Sequence, residues 1–167
     1  MGEKDTILKE KLKYSGLGSF KDAYEYAYSF LVNEDYNIIE DSYKEAVKGE
    51  DKEIEIVWTA SKKLTDYYKS ILNLKWRILG MSDVEIETNG KKKKMNKFAD
   101  FSIDIKGVLE RDYEGKWADS AVQKFMRSVY EKYVDIKRKR EMEGKVKDIV
   151  QDFKEEMKAF LELTGKR

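Results

Sequence analysis

Apolar and polar positions change period along this chain, and each change marks an element. From Phe20 to Asn33 the residues Phe20, Ala23, Tyr24, Ala27, Tyr28 and Leu31 recur at helical spacing, which predicts an amphipathic helix with a single apolar stripe. Ser19 stands at the N-cap position and Asp22 completes an approximate capping box. Ahead of this helix, residues 1–18 hold only a short apolar pattern (Ile7, Leu8, Leu12, Tyr14) before Gly16 and Gly18, and read as a loose N-terminal arm.

From Tyr36 the period becomes two. Ile54, Ile56, Trp58 and Ala60 alternate with Glu53, Glu55, Val57 and Thr59, the pattern of a half-buried strand. Turn chemistry at Lys48-Gly49-Glu50-Asp51 precedes it and follows a weaker strand at about 38–47. A third strand sets Tyr68, Leu72, Leu74, Trp76 and Ile78 against Lys69, Ile71, Asn73, Lys75 and Arg77. A fourth sets Phe101, Ile103, Ile105 and Leu109 against Ser102, Asp104, Lys106, Val108 and Glu110. Between the last two lies Asn89-Gly90, the pair that a type I′ hairpin turn needs at its two positive-φ positions.

That turn predicts a register. With Thr88 facing Lys91, Glu87 meets Lys92, Glu85 meets Lys94, Lys75 meets Asp104 and Lys69 meets Glu110. The same register places Ile78 with Phe101, Trp76 with Ile103 and Leu74 with Ile105, so opposite charges and apolar faces coincide together. An interruption fits at Gly80–Asp83 opposite Asn96–Asp100.

After residue 116 the helical period returns. Asp119 or Ser120 caps a helix whose stripe is Val122, Phe125, Met126, Val129, Tyr130, Tyr133 and Val134, long enough to cover the sheet. A further stripe, Met142, Val146, Ile149, Phe153, Met157 and Phe160, has the alternating spacing of a coiled-coil seam. The segment 135–141 between them has no stripe, so one long helix and two helices both remain open, with Gly144 favouring a break. The fold class expected is therefore α+β: an N-terminal helix, a four-stranded antiparallel meander, and one long or two C-terminal helices on one face of the sheet. Residues 1–18 form the arm, 19–134 a single domain, and 135–167 a helical extension.

Composition narrows the chemistry. The 167 residues contain neither cysteine nor histidine. Thiolate zinc sites, cysteine nucleophiles and Ser-His-Asp hydrolysis are thereby excluded, along with the usual ligand for zinc, copper and iron. No cofactor or metal is expected. Thirty-four basic and 33 acidic side chains nearly cancel, so any preference for nucleic acid or an anionic surface must be local. No apolar run approaches the roughly 20 residues that span a bilayer. A cytoplasmic protein with no membrane partner is the expectation.

Two basic clusters stand out. Lys91-Lys92-Lys93-Lys94 with Lys97 suggests phosphate contact at a hairpin tip, although Lys92 and Lys94 have glutamate partners in the register, leaving Lys91, Lys93 and Lys97 as the candidate nucleic-acid contacts. Lys137-Arg138-Lys139-Arg140, mixed with Asp135, Glu141 and Glu143, reads as a solvated interhelical segment. A base-stacking platform is disfavoured, because Tyr68, Trp76 and Phe101 lie on the face opposite Lys69, Lys75, Arg77 and Lys106. The carboxylate pairs Glu34/Asp35, Glu40/Asp41 and Asp112/Glu114 are no more than composition produces. Tyr24, Tyr28, Trp58, Trp76, Phe125 and Tyr130 are placed to line an apolar pocket of the helix-grip kind, or simply to fill a core.

The segments Glu53–Trp58, Asp83–Glu87 running into Asn89–Lys97, and Leu109–Trp117 are similar to those of a family of uncharacterised archaeal proteins found in metagenomic genomes, and the resemblance spans Leu17 to Lys166. It implies an archaeal cytosolic origin and carries neither an activity nor site residues. The function expected from the residues is a non-catalytic binding or assembly module, with the Met142–Phe160 seam meeting a protein partner or a second copy. Nucleic-acid binding through the lysine tip and capture of a small apolar ligand between helices and sheet are the alternatives.

Overall fold

The computed structural model describes residues 2–114, 120–133 and 136–165. Along the chain these form β1 (Glu3–Gly18), α1 (Phe20–Asn33), β2 (Asn37–Lys48), β3 (Asp51–Lys63), β4 (Tyr68–Thr88), β5 (Lys91–Arg111), α2 (Ala121–Tyr133) and α3 (Ile136–Gly165). The fold is α+β, with one antiparallel sheet of five strands in the order β1-β5-β4-β3-β2. Strands β2 to β5 are a meander, and β1 closes the sheet against β5.

This corrects the expectation of four strands behind a loose arm. Residues 3–18 are an edge strand paired with β5 from Glu3↔Arg111 to Gly18↔Asn96, and the first helix follows it. Two register shifts, between Thr6 and Leu8 and between Tyr14 and Gly16, break the alternation that would have announced it. Between them the period of two is intact. Lys9, Lys11 and Lys13 are exposed, Leu12 is buried, and the inward Glu10 carboxylate is neutralised by Lys154 of α3 at 3.1 Å.

The central hairpin follows the predicted register pair for pair, from Thr88↔Lys91 to Lys69↔Glu110. Asn89 and Gly90 take φ of 54° and 76°, the conformation that the turn demands. The ladder is interrupted at Gly80-Met81 opposite Phe98-Ala99 and resumes without a net shift, so the faces are preserved through the interruption.

On the inner face, Ile56, Trp58, Leu72, Leu74, Trp76, Phe101 and Ile103 meet α1 and α3 in one core. Ser19 accepts from the Asp22 amide at 3.3 Å to cap α1, whose buried residues are Phe20, Ala23, Ala27 and Leu31. At its C-terminal end Asp35 adopts a φ of 67°, and the Tyr36 amide returns to the Leu31 carbonyl at 2.9 Å. Helix α3 lies against β1 and β5. It can approach closely because Gly107 has no side chain: a Cβ there would stand 2.8 Å from Val146 Cγ1 and 2.9 Å from Val150 Cγ2.

The seam expected to meet a partner is this packing surface. Met142, Val146, Ile149, Phe153 and Met157 are buried, and Phe160 stacks on Tyr26 with ring centroids 4.3 Å apart. Its spacing reports a helix face, and the face is consumed by the molecule's own sheet. Helix α2, expected to cover the sheet, does not: Val122, Phe125, Met126 and Val129 are all exposed. Ser120 caps α2 by accepting from the Gln123 amide at 3.1 Å, and Gly144 lies inside α3. The alternative cap Asp119, the stripe residue Val134, the junction residue Asp135, the turn at 115–116 and the terminal Lys166 and Arg167 lie outside the described residues.

Candidate functional site

Both α1 and α3 occupy the inner face, and among the described residues the middle of the outer face is open, whereas Ile71, Val108 and Glu110 at its other end are buried. Its residues are those that alternate outward on each strand, and strand register places them in rows. One row runs Lys9, Lys106, Asn73, Thr59, Ile39 from β1 to β2. The next runs Lys11, Asp104, Lys75, Val57, Ser42. A third runs Lys13, Ser102, Arg77, Glu55, Lys44 toward the hairpin tip. In these three rows basic residues outnumber acidic ones seven to two, in a chain whose formal net charge is +1.

The first two rows enclose a groove of about 470 Å³ lined by Lys9, Lys11, Lys75 and Lys106 around Asn73, Val57 and Asp104. Lys11 Nζ is 3.9 Å from Asp104 Oδ1, and both side chains are about half exposed, so this pair is heavily screened by solvent. Among the described residues Lys9, Lys75 and Lys106 form no ion pair. Lys9 and Lys106 are direct cross-strand partners, an arrangement that places like charges side by side and opposes folding. The groove has an apolar floor of lysine stems and Val57, with ammonium groups at its rim. What such a site can hold is an anion with several charges, taken by charge and hydrogen bonding rather than by stacking.

The predicted tip residues Lys91, Lys93 and Lys97 are exposed on the β4–β5 hairpin beyond these rows. Glu87 and Glu85 stand across from Lys92 and Lys94 as expected, yet none of these four forms an ion pair among the described residues. From Lys106 to Lys91 the strand rises roughly 50 Å at about 3.3 Å per residue. Lys91, Lys93 and Lys97 alternate in phase with the buried Met95, and Lys93 stands beside Tyr26 and Phe160, so these lysines lie on the helix side of the sheet rather than on the groove's face. The groove itself escaped the sequence reading, because it requires β1 beside β5; the alternating lysines at 9, 11 and 13 were the available signal.

The other candidates resolve into structural roles. Trp58 and Trp76 are fully buried with centroids 5.1 Å apart, and Tyr24 packs on both at 5.1 and 6.1 Å, so these residues fill the space that a helix-grip ligand would need. Phe125 and Tyr130 lie on α2, away from that core, with Tyr130 against Tyr67 at 5.8 Å. Glu40 accepts from the Tyr24 hydroxyl at 2.8 Å and from Trp58 Nε1 at 3.2 Å. Burial first, then this carboxylate, pushes the Tyr24 phenol up to about 12. Asp41 accepts from Thr59 Oγ1 at 2.5 Å. Asp112 is buried against Arg127 at 3.5 Å. Among the described residues no cluster of acidic side chains is arranged to hold a metal ion, and no helix is long and apolar enough to cross a membrane.

The chain matches no family model, no curated protein and no solved structure. The functional reading therefore rests on the outer face itself.

Proposed function

We propose that the protein is a non-catalytic binding module whose open outer sheet surface takes the phosphate backbone of a nucleic acid. The observation that carries this reading is the direct pairing of Lys9 with Lys106 at the rim of a groove whose other walls are Lys11 and Lys75. Adjacent like charges weaken a sheet. Phosphates placed between them turn that repulsion into attraction, and the release of condensed counterions drives binding.

The face carries no aromatic side chain in its three central rows, whereas Trp58, Trp76 and Phe101 are sealed in the core. Recognition is accordingly of backbone rather than bases, and independent of sequence. Lys13 and Arg77 extend the track. Partner choice is local, since the near-neutral whole chain supplies no long-range steering.

The test is fluorescence anisotropy with labelled single-stranded and duplex oligonucleotides of unrelated sequence, using the intact chain and the triple variant Lys9→Glu/Lys75→Glu/Lys106→Glu. Binding that is insensitive to sequence, steeply weakened by salt and lost in the triple variant is expected. Absence of binding at low salt, or equal binding by the folded variant, overturns the reading.

A further inference from the structure

Helix α2 is turned opposite to the way an amphipathic helix ordinarily packs. Arg127 points inward and is nearly buried, joined to Glu3 of β1 and to Asp112 just after β5. Tyr130 adds an edge contact to Tyr67. These contacts hold the polar side of α2 against the end of the sheet. On the other side Val122, Phe125, Met126 and Val129, at spacing i, i+3, i+4 and i+7, are 68%, 69%, 55% and 39% exposed. An apolar stripe of this kind normally supplies the buried face of a helix. Here a buried cation holds it toward solvent, and contiguous exposed apolar surface marks a site of interaction.

Charge identifies the occupant. Residues 121–140 contain seven basic and two acidic side chains. Lys124 on α2 and Lys137, Arg138 and Arg140 at the start of α3 are exposed. A second copy of this chain would bring like charge to like. The stripe is also a ridge on a single helix rather than a groove that would seat another helix. A negatively charged lipid surface satisfies both features, receiving the apolar residues at the headgroup–acyl boundary and the basic ones at the headgroups. We propose that α2 docks the protein on anionic lipid bilayers, with Val122, Phe125, Met126 and Val129 inserted and the adjoining basic segment on the headgroups. The near-zero charge of the whole chain conceals this local preference, which is why the sequence pointed away from a membrane partner.

The test is co-sedimentation of the intact chain with vesicles of phosphatidylcholine alone and of phosphatidylcholine mixed with phosphatidylserine. Binding to the mixed vesicles only is expected, with roughly a tenfold loss in Phe125→Asp and a comparable loss in Lys137→Glu/Arg138→Glu. These side chains are exposed, so the thermal midpoints of the variants should match that of the parent and exclude misfolding as the cause. The variant Lys9→Glu/Lys106→Glu should bind vesicles as the parent does, which separates this site from the sheet face. The proposal is overturned by failure to sediment with phosphatidylserine vesicles or by undiminished binding of Phe125→Asp. Loss of binding only in Lys9→Glu/Lys106→Glu, or a concentration-dependent dimer that Phe125→Asp abolishes, overturns it equally.

Discussion

Lys9 and Lys106 are direct partners across the β1–β5 ladder, two cations side by side with no carboxylate paired to either among the described residues. One row away, Lys11 and Asp104 form the pairing that ordinary sheet energetics favours. The contrast between these neighbouring rows makes stability and binding opposed quantities on this face. Lys9→Glu should raise the stability of the fold by roughly 0.2–1 kcal/mol, the worth of an opposite-charge pair, while lowering affinity for oligonucleotides. Urea denaturation and anisotropy on the same variant measure both, and a variant that is less stable, or more stable with unchanged affinity, contradicts the site.

The contact of α3 with the sheet depends on the missing side chain at Gly107. Gly107→Val should destabilise the protein by about 1–3 kcal/mol through overpacking against Val146 and Val150. Adding Val150→Ala should restore part of that loss, giving a favourable coupling in a double-mutant cycle. Simple additivity of the two losses would show that the helix does not bear on this strand.

The two core tryptophans differ in one hydrogen bond. Trp58 Nε1 donates to Glu40 at 3.2 Å, whereas Trp76 Nε1 is buried and has no acceptor among the described residues. Both substitutions to phenylalanine remove similar volume, so Trp58→Phe should cost about 1 kcal/mol more than Trp76→Phe. Chemical denaturation of the two variants decides this, and an equal or reversed order would contradict the assigned bonding.

Alkaline stability should report on Tyr24. Its neutral phenol is favoured in the folded state, where its pKa is about 12 against an ordinary 10.0. The stabilisation is full below pH 10 and is lost as the pH rises toward about 12, because the unfolded chain ionises first. Tyr14, Tyr26, Tyr36 and Tyr43 are raised in the same direction, burial being the first cause in each. Denaturation measured across that window should fall more gently in Tyr24→Phe than in the parent, and identical slopes would place the titration elsewhere.

The hairpin was legible because two independent signals agreed. A turn that only Asn89-Gly90 satisfies set the register, and charges and apolar faces along β4 and β5 then matched it. Strand β1 was hidden by its two shifts and by an inward Glu10, whose neutralisation by Lys154 depends on a helix at the far end of the chain. The pairing of Lys9 with Lys106 was invisible for the same reason. Periodicity also located the stripes of α2 and α3 without saying what each would face. Gly107 draws the α3 stripe onto the sheet, and Arg127 turns the α2 stripe away from it.

Anion binding at the outer face is tested most directly by the salt dependence of oligonucleotide affinity for the parent chain and for Lys9→Glu/Lys106→Glu. If about four lysines of the groove each neutralise a phosphate, the logarithm of affinity should fall with the logarithm of salt at a slope of roughly −3 to −4, flattening by about 2 when the pair is reversed. A slope near zero, or one that the double variant leaves unchanged, would contradict it.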